Sequence, residues 1–224
     1  MAIILAIESS GPICSVALHQ DGLLLDCIES DEPNIHGKKL AVFIKELIES
    51  NKLNFETLDA IAISEGPGSY TGLRIGVSLA KGLCYAKNIP LIAIDTLQAL
   101  AWAILQCQSK PLPENSVLMP MIDARRMEVY TASFDTQLTK INKTVPLILD
   151  EEFYADLTQP TFMAGNGSLK VKSSMANGPL VIVPEVNFSA KHLGWLAYQK
   201  FKNNVFENVA YFEPVYLKEF AKIL

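Results

Sequence analysis

Gly66-Pro-Gly-Ser-Tyr-Thr-Gly-Leu-Arg-Ile-Gly76 lies between an apolar run, Asp59 to Ser64, and a helical pattern, Leu73 to Ala86. Strand, glycine-rich turn and helix in that order is the opening of a crossover in an α/β fold. The turn must first be tested as a phosphate loop. A Walker A loop needs Gly five residues after its first Gly, then Lys; counted from Gly66 that place is Thr71, and from Gly68 it is Leu73. The dinucleotide fingerprint needs a third Gly where Thr71 stands, so it fails as well. What remains is a tight turn whose hydroxyls, Ser69 and Thr71, can cap the helix. Within the helix Gly72, Gly76 and Ala80 recur every four residues, although an interior Gly costs about 1 kcal/mol relative to Ala. Close approach of another helix offsets such a cost, and the spacing alone leaves open whether that helix lies in the same lobe or in a partner. Leu73, Val77 and Cys84 on one side, with Ile75 and Leu79 on the other, predict a helix buried on more than one face.

Upstream, Ile3 to Ile7, Cys14 to His19 and Leu23 to Ile28 read as strands, the last two joined by Asp21-Gly22, a type I′ hairpin signal. Leu40, Phe43, Ile44, Leu47 and Ile48 follow the i, i+3, i+4, i+7, i+8 stripe of a helix packed on a sheet. Leu91 to Ile94 and Leu97 to Leu105 repeat strand and helix. The order βββαβαβα predicts a mixed sheet with parallel later strands, forming a first lobe over residues 1–108. The Pro-rich polar stretch Ser109 to Ser116 marks the boundary, and residues 109–224 form a second lobe. There Val117 to Ile122, Met127 to Phe134, Leu138 to Ile141, Leu147 to Leu149, Thr161 to Ala164 and Leu180 to Val183 read as strands. Ser189 caps a last helix bearing Leu193, Leu196, Ala197 and Phe201. Both halves start with strands and end with helices, as a duplicated α/β architecture does.

The 224 residues are 50% hydrophobic and 19% charged, which excludes a disordered chain. With 19 Lys and Arg against 24 Asp and Glu, the net charge of −5 argues against autonomous nucleic-acid binding, because cationic side chains supply most of the affinity for a polyanion. No apolar run reaches the ~18 residues of a membrane span. Glu8 arrives too early for a secretory signal, and Cys14, Cys27, Cys84 and Cys107 form no C-x-x-C pair; a cytoplasmic location with reduced thiols is expected.

Catalytic groups are sparse. Glu8-Ser-Ser-Gly11, after the first strand, can hold a hydrated metal or a phosphate, but reads more readily as a solvated strand-end carboxylate. Asp123-Ala-Arg-Arg126 opens the second half at the corresponding place, with two cationic side chains where a phosphate loop wants small residues. His36 stands just before the first helix; its helical metal partner at i+4 would be Leu40, so no metal pair forms. There is no Gly-x-Ser-x-Gly elbow. An active ATP-dependent phosphotransferase would have to use Glu8 and Asp123 around a metal with Gly165-Asn-Gly167 near the adenine, and a metallopeptidase lacks ligands.

Ile4-Leu-Ala-Ile-Glu-Ser-Ser, Cys14-Ser-Val-Ala-Leu, the long glycine motif through Val77, Ala80-Lys-Gly-Leu, Ile122-Asp-Ala-Arg-Arg126 and Pro214-Val-Tyr-Leu217 resemble the TsaB (YeaZ) family nearly end to end. The resemblance implies a two-lobed actin-like (sugar kinase, Hsp70) fold. It also implies a non-catalytic subunit, without cofactor of its own, of the complex that makes threonylcarbamoyladenosine beside the tRNA anticodon. A TsaD-like transferase is the implied partner, with a TsaE-like ATPase; ATP and a metal belong to those subunits, and tRNA is reached only through the complex. Family members usually carry Asp where this chain has Glu8. The partner surface is expected on the helices at His36 to Glu49 and Tyr70 to Lys87, through His36, Phe43, Tyr70, Gly72, Leu73, Arg74, Gly76, Val77 and Ala80. A homodimer is expected when the chain is alone.

Overall fold

The computed structural model describes residues 1–172 and 178–217. The first half contains β1 (Ile3–Glu8), β2 (Cys14–Gln20), β3 (Leu23–Ser30), α1 (His36–Ser50), β4 (Ala60–Gly66), α2 (Tyr70–Lys87), β5 (Leu91–Asp95) and α3 (Thr96–Gln106), which is the expected βββαβαβα order. Asp21 (φ 51°) and Gly22 (φ 84°) turn β2 into β3 with both central residues left-handed, as a type I′ hairpin requires. α2 starts three residues before Leu73, because Ser69 is its cap and accepts from the Gly72 amide, leaving Thr71 inside the first turn. The second half adds β6 (Val117–Asp123), β7 (Glu128–Thr131), β8 (Val145–Ile148), α4 (Glu151–Ala155), β9 (Thr161–Ala164), β10 (Leu180–Ile182) and α5 (Gly194–Lys202). The strand expected at Leu138 to Ile141 is reduced to an isolated bridge, Phe134 to Lys140.

Two five-stranded sheets result, ordered β3-β2-β1-β4-β5 and β10-β9-β6-β7-β8. Read from the other edge, the second repeats the first: an antiparallel meander whose first strand also pairs parallel with the fourth. The duplication is therefore visible in topology, and the architecture is the expected two-sheet α/β fold.

Among the described residues the chain divides into two compact units, Met1–Thr96 with Phe188–Tyr216, and a second built on the residues between them. This differs from a cut between residues 108 and 109. The helix that ends each half joins the other sheet's unit. In the second unit Gln98 of α3 donates to the Leu138 carbonyl at 3.3 Å. In the first, Lys200 of α5 reaches the Ala93 carbonyl at 2.6 Å, and Glu207 bridges to Leu91 of β5.

β1 is central, and Ile4, Leu5, Ala6 and Ile7 are all fully buried, as a strand covered on both faces must be. Alternation sorts the layers of this unit. Val16 and Leu18 join the core made with Leu40, Ile44 and Leu47 of α1. Ser15 and His19 turn to the opposite face, where the Ala190 amide donates to Ser15 Oγ and Gly194 lies against the His19 ring.

That face carries a polar latch. Glu29 accepts from Ser15 Oγ at 3.0 Å and from Ser189 Oγ, and pairs with Lys191 at 3.1 Å. His19 Nε2 faces the Lys191 carbonyl, which can only accept, so the neutral ring carries its proton there and leaves Nδ1 buried without a partner. Protonating Nδ1 would bury an unsatisfied charge. Burial accordingly pushes both His19 and His192 down to about 4. A histidine held low binds its proton in the unfolded chain first, so stability is complete above the ordinary value of 6.5 and is lost as pH falls toward 4. Urea melts should therefore show stability declining from pH 7 to pH 5, with His19 alone contributing a loss on the order of 3 kcal/mol by pH 4. A profile flat over that range would contradict the assignment.

Candidate functional site

The glycine motif packs on the end of β1. Ser10 O accepts from the Ser69 amide at 2.6 Å, and a Cβ at Gly68 would stand 2.5 Å from the same oxygen. One turn on, a Cβ at Gly72 would overlap the Ser9 carbonyl, and one at Gly76 would overlap Ser9 Oγ. Gly72, Leu73, Gly76, Val77 and Ala80 are all buried inside this unit. This corrects their placement on a partner surface. The small stripe admits the backbone of Ser9 and Ser10, and nothing larger fits between.

Glu8 is 2% exposed. Its Oε1 accepts from the Ser10 amide and Ser10 Oγ, each at 2.6 Å, and from Ser64 Oγ at 2.8 Å. Thr96 Oγ1 extends the network, approaching Ser10 Oγ at 3.5 Å and accepting from the Gly66 amide at 3.2 Å. Burial pushes the Glu8 carboxyl above the ordinary carboxylate value, and the donors from Ser10, Ser64 and Ser9 offset part of that shift. On the neighbouring turn the Phe188 ring, itself buried, occupies the space a Cβ of Gly11 would need. Glu8 is thus an internal acceptor under a protein lid, and the solvated strand-end reading does not hold. Ser64, Thr96 and Phe188 escaped the sequence reading because their contacts with β1 are long-range.

In the second unit Asp123 pairs with Lys170 Nζ at 2.6 Å and accepts from the Arg125 amide at 2.6 Å. Partial burial pushes its carboxyl up, but these two partners outweigh it and hold it below its ordinary value. Gly165 and Gly167 let the β9 end approach the backbone of Met121 and Ile122, and Asn166 Oδ1 accepts from the Asp123 amide at 3.0 Å. Those groups serve local packing. Among the described residues no group of three His, Cys, Asp or Glu could hold a metal, and no helix is long and apolar enough to cross a membrane.

The remaining expected residues lie on the outer side of α1 and α2, which pack together through Gly37 and Ile75. Arg74 is exposed, and His36, Phe43 and Tyr70 are half-buried. The Arg74 guanidinium sits 5.3 Å from the Tyr70 ring centre and donates to its hydroxyl at 2.9 Å. On the same two helices Val42 and Tyr85 are large exposed apolar groups, Tyr85 at 85%. A cavity of about 360 Å³ opens between the starts of the two helices, lined by Asp31, Asn34, His36, Ser69, Thr71 and Ile75. His36 Nε2 has no hydrogen-bond partner there.

Two predictions follow from the packing of α2 and β1. Gly76→Leu is a folding variant, whereas Gly82, which meets nothing within 4 Å and lies inside the helix, should accept Ala with a gain of about 1 kcal/mol in denaturant melts. Glu8→Gln keeps an oxygen acceptor and removes the buried charge. A carboxyl with a raised native pKa costs stability above its ordinary value of 4.5, so this variant should melt higher than the parent at pH 7 to 8. The advantage should shrink toward pH 4.5, and a lower melting point at neutral pH would contradict it.

A family model described as TsaD, tRNA N6-adenosine threonylcarbamoyltransferase, matches residues 33–222. The tRNA threonylcarbamoyladenosine biosynthesis protein TsaB of Haemophilus influenzae is 35% identical over 127 residues, covering 57% of this chain and 51% of that protein. The protein of the same description from Bacillus subtilis is 31% identical over 144 residues, 64% of this chain and 59% of its own length. The chain thus spans about half the length of the curated relatives it matches. The solved structure of YeaZ from Pseudomonas aeruginosa superposes with a TM-score of 0.79 at 27% identity, covering 97% of this chain and 100% of that one. An activator of 2-hydroxyisocaproyl-CoA dehydratase from Clostridium difficile, solved with bound ADPNP, shares the fold at a TM-score of 0.53 and 8% identity. The duplicated sheets are those of the actin-like ATPase and sugar kinase fold.

Proposed function

Because the chain belongs to the TsaD family, in its TsaB (YeaZ) branch, we propose that it is a non-catalytic subunit in threonylcarbamoylation of N6 of the adenosine beside the tRNA anticodon. It pairs with a TsaD-like transferase through the outer faces of α1 and α2. A TsaE-like ATPase and the tRNA join through that partner, in keeping with a net charge of −5. With the partner absent, the same face pairs with a second copy.

The observation that carries this reading is the closure of the β1 end. A nucleotide phosphate or its metal needs an accessible carboxylate and open backbone amides. Here Glu8 is committed to Ser10 and Ser64, the Ser10 and Ser69 amides are taken, and Phe188 covers Gly11. The outer helix faces offer what interfaces favour, an exposed Arg against Tyr and, on the same two helices, exposed Val42 and Tyr85.

In cells depleted of this chain, nucleoside mass spectrometry of bulk tRNA should show loss of threonylcarbamoyladenosine, restored by a Glu8→Gln copy. An unchanged level removes the pathway assignment. Calorimetry of the isolated chain with ATP and Mg²⁺ should give no binding heat, and micromolar affinity would reinstate an enzyme. Arg74→Glu, a surface change, should weaken pairing with the TsaD-type subunit by about tenfold or more; unaltered affinity moves the interface off α2.

A further inference from the structure

The stretch Pro214-Val-Tyr-Leu217 carries part of the family resemblance, and the closure around Glu8 does not account for it. It is the end of a strap that runs back along α2. The strap leaves β5 at the bridge between Glu207 and Leu91. Lys81, three turns into α2, then clamps it by donating to the carbonyls of Ala210 at 3.2 Å and Phe212 at 2.9 Å. Phe212 enters the core of the first unit.

At the start of α2 the strap is fixed to the glycine turn. The Val215 amide donates to the Glu65 carbonyl at 2.8 Å. Gly66 has φ +111°, and a Cβ there would stand 2.7 Å from the Val215 carbonyl, so the turn is shaped to receive this backbone. These contacts deliver Tyr216 onto Tyr70, with ring centres 4.8 Å apart and planes tilted by 42°. Arg74 also holds Tyr70, by its guanidinium contact and its hydrogen bond to the hydroxyl.

We propose that Tyr216, anchored by Val215 on the glycine turn, is a positioning residue for the partner face: it holds Tyr70, and through it Arg74, in the orientation that meets the TsaD-type subunit. The inference rests on the α1 and α2 face being that surface. Arg74 has many rotamers in solution, and ordering such a side chain at association costs about 0.5–1.5 kcal/mol, while Tyr70, with two χ angles, costs less. A stack made within the free chain removes part of that cost beforehand. The ring, rather than the hydroxyl of Tyr216, supplies the contact.

The test uses the full chain and its TsaD-type partner, with affinity measured by calorimetry and thermal melts run on each variant. Tyr216→Ala should weaken pairing about tenfold with an unchanged melting temperature, and Tyr216→Phe should restore affinity to within about twofold. In a Tyr70→Ala background the further change Tyr216→Ala should have no effect, because a residue that acts through Tyr70 has nothing left to position. Additive losses mean that Tyr216 touches the partner itself, and wild-type affinity of Tyr216→Ala means that the strap is only structural; either overturns the proposal. If Arg74→Glu and Tyr70→Ala also pair normally, the interface reading fails with it, whereas their failure to pair beside a normal Tyr216→Ala removes the positioning role alone.

Discussion

The approach of α2 to the backbone of Ser9 and Ser10 governs both halves of this protein's chemistry. A helix can lie on a strand end at that distance only where side chains are missing, and Gly68, Gly72 and Gly76 are missing theirs at the three points of contact. The approach brings the Ser69 amide to Ser10 O and keeps Ser10 folded back on Glu8. The contact that builds the first unit therefore consumes the amides, hydroxyls and carboxylate that a phosphate site at the same turn would require.

It also decides what α2 shows outside. With the glycine stripe turned inward, the residues about half a turn away are pushed outward, and these are Thr71, Arg74, Ser78 and Tyr85. Ile75, against Gly37 of α1, and Leu79 are partly buried at the margin of the core. A helix packed through glycine sits lower on its sheet than one packed through leucine, so its flanks approach α1 and the strap closely. The exposed face is then a composite of neighbouring segments rather than one helix.

Much of this was legible in the sequence, and the misreadings share one cause. The Asp21-Gly22 hairpin and the stripe of α1 are local signals, and they appear where the periodicity puts them. Spacing also shows that Gly72, Gly76 and Ala80 form one small face. It does not show what that face meets, since a partner helix and a strand end make the same demand for absent Cβ atoms. The lobe boundary fails for the same reason: the Pro-rich loop near residue 111 interrupts local structure, but a unit is defined by which core a helix joins. For α3 and α5 that is settled by contacts such as Gln98 with Leu138 and Lys200 with Ala93, distant in sequence. The five-residue α4 is too short to show a period, and only Asp150, capping through the Phe153 amide, with Glu151 and Glu152 behind it, marked its start.

The repeated topology makes the two units an internal comparison. Each has an acidic residue at the end of its first meander strand, Glu8 on β1 and Asp123 on β6. Were either strand end a working phosphate or metal site, its carboxylate would have to stay ionised and unpaired until ligand arrived. The chain defeats that requirement twice, by opposite means. Around Glu8, burial raises the pKa and disfavours the ionised form, although the hydroxyl donors that replace solvent offset part of the shift. At Asp123 the ionised form is favoured but already neutralised by Lys170, while Arg125 and Arg126 hold left-handed backbone in the turn that follows. Internal partners thus occupy the carboxylate at equivalent places of the two units, Ser10 and Ser64 at Glu8 and Lys170 at Asp123.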